Sequence, residues 1–478
     1  MTKLIPLALI LGLGCALSLA ARQGGFAGAS GATMAAPQGG GARAAGTTIA
    51  PPQETGIFPY AAKVEVLENG LKVVSVPLPN PGIISYYTVV RSGSRNEIEP
   101  GKSGFAHFFE HMMFKGTKQM PKAAYDELLT RLGAGTNGYT TDDFTCYSIV
   151  FAGRGSLEKV VKAEADRFLN LAVTEETIRT EAPVIEGEYY AGASNPDRRL
   201  IETLRDTAYD KHSYKHTTLG FLRDIQDMPN QYEYSLLYKK RFYAPDNTIL
   251  LVAGDYDHTR LMELVRKHYG GWEKTNYDLQ APVEPPQTQA RRAHVEWPTR
   301  TLARLALGWH GPAFSDSVAD KAALDVLAEL AFSPSSPLYQ KLVITNKTCR
   351  SLSASFADTR DPSLLVVTAT VKNDADLPAV EAEILKEIER LKAEPAPARR
   401  LADIKAHLRS AMARSLETTD GLAATLAFYL NLTGDPGTLN RLFALYDRID
   451  QQDVRDMARR YFRPANLTTV TLASGAAK

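Results

Sequence analysis

Arg241-Phe242-Tyr243-Ala244-Pro245-Asp246-Asn247 is echoed by Arg460-Tyr461-Phe462-Arg463-Pro464-Ala465-Asn466, at an offset of 219 residues. Each copy follows an amphipathic helical pattern and precedes a β-branched run, Thr248 to Ala253 in one case and Leu467 to Leu472 in the other, which reads as a closing strand. A unit that recurs once at this spacing is a duplicated domain. Between the copies, Ala281-Pro282-Val283-Glu284-Pro285-Pro286-Gln287 is too rich in proline to continue a helix and reads as a linker. The reading places one domain at 56–275, the linker at 276–293 and a second, homologous domain at 294–478. Helical and strand patterns recur within each half, with hairpin-like spacing such as Leu71 to Val76 followed by Ile83 to Arg91. The predicted fold class is α+β, with each domain an antiparallel sheet that carries its helices on one face.

Composition sets the outer bounds. The chain has 478 residues, 44% apolar and 23% charged, with 55 Lys+Arg against 54 Asp+Glu. That is a globular balance with too little net charge to call for nucleic acid or another polyanion. Three cysteines cannot staple a chain of this length. Cys15 falls in a segment expected to be removed, and spacing does not say whether Cys146 and Cys349 pair. A basic start at Met1–Lys3, an apolar run from Leu4 to Ala20 and the small-x-small Ser18-Leu19-Ala20 read as a signal peptide over 1–21. The Ala/Gly/Gln/Pro-rich stretch 22–55 has almost no large apolar residue and reads as a disordered tether. The protein is therefore expected to be exported, periplasmic or secreted in a bacterium. Pro6, Gly12 and Gly14 weaken the apolar run as an anchor, so membrane tethering, like lipid attachment at Cys15, is a lesser alternative.

The chemistry is concentrated in His107-Phe108-Phe109-Glu110-His111. At 100° per residue, His107, Glu110 and His111 fall within one helical arc of about 100°, so two imidazoles and a carboxylate face the same space. Zinc suits that set, with two neutral histidines as nitrogen ligands and a carboxylate one turn away to deprotonate water instead of binding the ion. The order is that of the His-x-x-Glu-His motif. A catalytic site needs a third ligand and an open position. Glu181, Glu186 and Glu188 offer one: Glu181 and Glu188 share a helical face, and Glu186 lies about 200° round from Glu188.

These residues resemble the pitrilysin-type zinc metallopeptidases, which include insulin-degrading enzyme, the mitochondrial processing peptidases and smaller secreted bacterial relatives. The resemblance covers essentially the whole mature chain. It rests on His107, Glu110 and His111 with Gly116-Thr117 after them, on a glutamate 77 residues beyond His111, and on Gly133-Ala134-Gly135-Thr136-Asn137-Gly138-Tyr139-Thr140. It implies His107, His111 and Glu188 as ligands of one Zn2+ per chain, Glu110 as general base, and Glu181 as a carboxylate orienting a ligand histidine. It further implies that Asn137, Gly138, Tyr139 and Thr140 form an edge strand that pairs with an extended peptide. Without the resemblance, the same segment reads as a solvated hairpin. Two departures stand out: Pro183 lies between the two glutamates, where a helix tolerates it only near its start or at a kink, and Gly138 stands where alanine is usual.

Carried forward by 219 residues, the histidine and glutamate positions become Val326, Glu329 and Leu330, inside an apolar helical stretch. The resemblance places an Arg and, seven residues later, a Tyr in such a metal-free half, after a segment here written Ser335-Ser336-Pro337-Leu338-Tyr339. This chain has Val343 and Arg350 there. A homologous partner subunit carrying the missing pair across a shared chamber is therefore expected, with Arg350 acting locally as the alternative. The expected activity is zinc-dependent endoproteolysis of short, unstructured peptides, and the competing reading is a non-catalytic structural or peptide-binding subunit of the same fold. His212 and His216, also four apart, read as a structural pair in a polar loop.

Overall fold

The computed structural model describes residues 48–49, 56–79 and 82–475. The signal peptide expected at 1–21 and nearly all of the expected tether lie outside them. Among the described residues, no helix is long and apolar enough to cross a membrane.

Two sheets form the frame. The first takes β1 (Thr48–Ile49), β2 (Lys63–Val66), β3 (Lys72–Pro77), β4 (Ile83–Val90), β5 (Gly135–Thr140), β6 (Thr145–Ala152) and β7 (Thr248–Gly254), in the order β1-β2-β3-β7-β4-β6-β5. The second takes β8 (Arg291–Trp297), β9 (Ala303–His310), β10 (Cys349–Phe356), β11 (Leu364–Val371) and β12 (Leu467–Ser474), in the order β10-β11-β9-β12-β8. Reversed, the second order matches the last five strands of the first. The 219-residue offset carries Lys72 to Arg291, Thr145 to Leu364 and Thr248 to Leu467, each the first residue of its strand. Pairing is antiparallel except for β3 with β7 and β8 with β12. The hairpin suggested by the spacing of Leu71–Val76 and Ile83–Arg91 does not form: β7 lies between β3 and β4, parallel to one and antiparallel to the other. Every residue of β7 is buried, so the central place, covered on both faces, is where that strand gains most from leaving water.

The helices that concern the site are α1 (Phe105–Met112), α2 (Glu175–Ala193), α3 (Pro196–Ala208), α4 (Asp320–Phe332), α5 (Ala398–Ser415) and α6 (Thr419–Thr433). The two halves exchange one of them. α3, from the first half, packs on β8, β9 and β12 of the second sheet, and α6 packs on β4 and β7 of the first. Asn195 caps α3 by accepting from the Asp197 amide, with Pro196 supplying the preset φ of the first turn. Leu200, Leu204 and Ala208 then meet Ala306, Val470 and Leu472. The approach is close at Gly308, where an added Cβ would sit 3.2 Å from Leu204. Each sheet is thus buried on a second face by a helix from the other half. A buried polar junction reinforces this: Arg95 donates to Asp361, and His212 Nε2 lies 2.9 Å from the same carboxylate. Cys146 and Cys349 are both buried and free.

Candidate metal centre

α1 forms under the aromatic face of the first half. Phe105, Phe108 and Phe109 are fully buried, ringed by Tyr238 and Tyr243, and their spacing turns His107, Glu110 and His111 to the opposite side. Glu97 ties down the start of the helix by accepting from the Gly104 and Ala106 amides, two of the donors a first turn leaves free.

α2 crosses behind. Thr174 caps it, and Pro183 occupies its ninth position, well inside the helix and not in the first turn. Glu188 Oε2 reaches 3.6 Å from His107 Nε2 and 3.7 Å from His111 Nε2. The one ligand atom that each residue offers lies within 4.8 Å of the others, and this is the one cluster of three or more metal-ligating side chains among the described residues. Zinc bonds of about 2.0–2.2 Å at tetrahedral angles put ligand atoms about 3.3–3.6 Å apart, so the donor set fits such an ion with little adjustment. Glu181 lies 2.9 Å from His111 Nδ1 and forms an ion pair with Lys115 on its other side. That hydrogen bond selects the tautomer that leaves Nε2 free. Glu186 points elsewhere, accepting from Gln226.

Burial and the neighbouring charges shift the groups of the cluster unevenly. Burial, with His111 and Arg198 nearby, pushes His107 down to about 3, so this imidazole stays neutral. Burial acts the same way on His111, but the Glu181 hydrogen bond and the Glu188 and Glu110 charges outweigh it and hold it above its usual value. Glu181 is held below the usual carboxylate range: its burial is overcome by His111 and Lys115. Burial raises Glu188 and lifts Glu110 to about 6, against the Thr140 hydrogen bond.

β5 lies at the edge of the first sheet, paired on one side to β6. Asn137 is exposed, and Tyr139 is buried against Phe144. Gly138 and Thr140 face α1. A Cβ on Gly138 would meet the Phe114 ring at 2.9 Å and the Glu110 side chain at 3.4 Å, so the glycine leaves room for the Phe114 ring where it lies. Thr140 Oγ1 donates to Glu110 Oε2 at 2.6 Å. Spacing gave no hint of that contact, nor of the Lys115–Glu181 pair, because both join segments far apart in sequence.

In the second half, Val326, Glu329 and Leu330 are buried on α4 as the repeat requires. The same offset carries Glu181 to Arg400 and Glu188 to His407, both on α5. One carboxylate therefore survives in a setting without the ligand histidines, and burial raises Glu329 against the opposing pull of His407 and Arg400. Val343 lies in a π-helical turn at 340–345, and Arg350 is exposed at the start of β10.

Known proteins resemble this chain over most of its length. Residues 72–220 match the family model described as insulinase, peptidase family M16, and residues 232–408 match that of the peptidase M16 inactive domain. The chain is 31% identical to a zinc protease of Helicobacter pylori over 85% of this chain and 91% of that one. It is 27% identical to a probable mitochondrial-processing peptidase subunit beta of Schizosaccharomyces pombe, over 82% and 87% of the two chains. The crystal structure of a protease from Helicobacter pylori superimposes with a TM-score of 0.80 at 30% identity, over 87% of this chain and 99% of that one.

Proposed function

This chain belongs to peptidase family M16, and we propose that it is an exported zinc-dependent endopeptidase that cleaves short, unstructured peptides. The observation that carries the reading is the convergence of His107, His111 and Glu188 beside a separate, buried carboxylate, Glu110. His107, His111 and Glu188 would hold one zinc ion, which when bound supplies Lewis-acid polarisation of the scissile carbonyl. Glu110 accepts a proton from the attacking water and returns it to the leaving amine, a two-way task open to a buried carboxylate that stands beside the cluster but outside it. Lys115 keeps Glu181 charged, and Glu181 keeps the His111 ring turned. The free edge of β5 offers main-chain hydrogen bonds to an extended peptide, which gives affinity with little sequence preference.

The test is hydrolysis of a mixed pool of unstructured peptides by the purified mature chain, with zinc content measured alongside. Chelator-sensitive cleavage supports the reading; a metal-loaded chain with no turnover points to the non-catalytic alternative. A second reading follows from Val343 and Arg350: a homologous partner subunit supplies an Arg/Tyr pair to the same site. It requires that the chain alone turn over poorly and that the partner restore the rate.

Thr140 gives a finer prediction. Thr140→Val keeps the shape and removes the hydroxyl that fixes Glu110 Oε2. We expect kcat to fall about tenfold with KM and zinc content little changed, in line with the loss of one hydrogen bond to a charged group. Thr140→Ser should recover most of the rate, and steady-state kinetics on the three proteins would decide it.

A further inference from the structure

Arg198 lies about one helical turn from the candidate metal cluster with an uncommitted donor. It lies in the first turn of α3, and its guanidinium carbon is 5.3 Å from the centre of the Tyr189 ring. Nε donates to Glu202 at 2.9 Å, whereas Nη2 is buried with no hydrogen-bond partner among the described residues. The group is admitted by Gly192, where a Cβ would fall 2.7 Å from the guanidinium carbon. Gly192 is one turn beyond Glu188 and about 40° round from it, on the stripe of α2 that also carries Glu181. The guanidinium therefore lies over Gly192, one helical turn from Glu188 on the same side of α2, near enough for its charge to act on His107 and Glu188. Lys115, also at the cluster, is spent on Glu181.

A buried N–H without an acceptor costs about 1–3 kcal/mol, so a ligand oxygen that reaches it is strongly favoured. The charge balance selects the kind of oxygen. With a divalent ion bound, Glu110, Glu181, Glu188 and Glu202 are matched by the ion, Lys115 and Arg198, and the further cation, Arg199, is half-exposed at the rim and paired to Glu202, so the interior of the site carries no net charge to draw a further anion. We propose that Arg198 donates to a main-chain carbonyl of the bound peptide beside Glu188, supplying from the metal-bearing half of this chain a cationic donor for substrate. The proposal rests on the endopeptidase reading and narrows it: internal peptide segments are preferred to free carboxyl termini, and no partner subunit is needed for this contact.

The experiment compares the wild-type chain, Arg198→Met, Arg198→Lys and Gly192→Ala on one peptide made with a free and with an amidated carboxyl terminus. Zinc content and thermal melting are measured for each protein. Peptide affinity is measured separately in a Glu110→Gln background, so that binding is read without turnover. Arg198→Met should weaken peptide binding about tenfold, the scale for losing one charge-assisted hydrogen bond, and lower kcat/KM at least as much. The loss should be equal on both peptides, with zinc retained. Arg198→Lys should recover little, since a point charge does not replace the planar fork. Gly192→Ala should reproduce the loss by expelling a guanidinium that keeps its charge. Unchanged affinity and kcat/KM in Arg198→Met overturn the proposal, and so does a loss confined to the free-acid peptide, which would mark a carboxylate receptor instead. A zinc-loaded wild type without turnover also overturns it, because the donor must then come from elsewhere. A wild type that takes up no zinc defeats the endopeptidase reading itself.

Discussion

Glu110→Gln is expected to abolish peptide hydrolysis to below about a thousandth of the wild-type kcat while leaving one zinc per chain in place. Glutamine has the shape of glutamate and can still accept from Thr140 Oγ1, so the packing around the 5%-exposed side chain should survive. What it lacks is basicity. General acid–base assistance contributes about 10²–10⁴ in rate, and Glu110 is asked for it twice, to take a proton from water and to give it to the leaving amine. Glu110 is also not one of the three clustered ligand side chains, so metal content should be insensitive to the change. Quenched-fluorescence turnover and metal analysis on the same preparation check both statements. Residual activity above about a tenth would show that some other group moves the proton, and loss of zinc would show that Glu110 helps to hold the ion.

How much of this was legible in the sequence depended on whether the information was local. The Arg241–Asn247 and Arg460–Asn466 echo read through correctly: its offset aligns the starts of three of the five corresponding strand pairs to the residue, and the reversed order β8-β12-β9-β11-β10 repeats β3-β7-β4-β6-β5. The His107, Glu110 and His111 arc was readable because a helix imposes its period on whatever sequence it carries. Spacing alone narrowed the third ligand to one face of α2 and no further; the resemblance singled out Glu188, and the structure brings Glu188 to the two imidazoles with Glu186 turned to Gln226. The expected hairpin between β3 and β4 failed because nearness in sequence is a poor guide once a fully buried strand from the far end of the domain claims the centre of the sheet. Lys115 and Arg198 could not be read at all, and Thr140 reads as part of the edge strand but not as a partner of Glu110. Each acts on a partner in another element, across 30, 66 and, for Arg198 against His107, 91 positions of sequence. The exchange of α3 and α6 between sheets was equally hidden, since either helix reads as an ordinary amphipathic segment of its own half.

Beneath the site lies a buried ion pair whose disruption should cost several kcal/mol of stability. Glu164→Ala is expected to lower the unfolding free energy by about 3–5 kcal/mol, the range for removing one member of a buried ion pair. Glu164 and Arg167 are 1% and 3% exposed and joined at 2.7 Å, and Tyr125 donates to the other carboxylate oxygen at 2.7 Å. The guanidinium is otherwise enclosed by rings, 5.2 Å from Phe114, 5.3 Å from Tyr125 and 5.0 Å from Tyr147. These faces attract a cation but are no substitute for a counter-ion. With Glu164 gone, Arg167 keeps its charge in a place water does not reach, and the Tyr125 hydroxyl loses its acceptor. The damage should also reach the site, because Phe114 packs on Arg167 from one side and under Gly138 from the other. Denaturant unfolding of the metal-free chain measures the loss without the added stabilisation that zinc binding would bring. The pairing argument has a sharper consequence: the double variant Glu164→Leu with Arg167→Met should recover most of the stability that either single change removes, since it removes the stranded charge as well as its partner. If instead the double variant is as unstable as the sum of the singles, the pair contributes through packing and not through charge, and the platform under α1 is held by its aromatic rings alone.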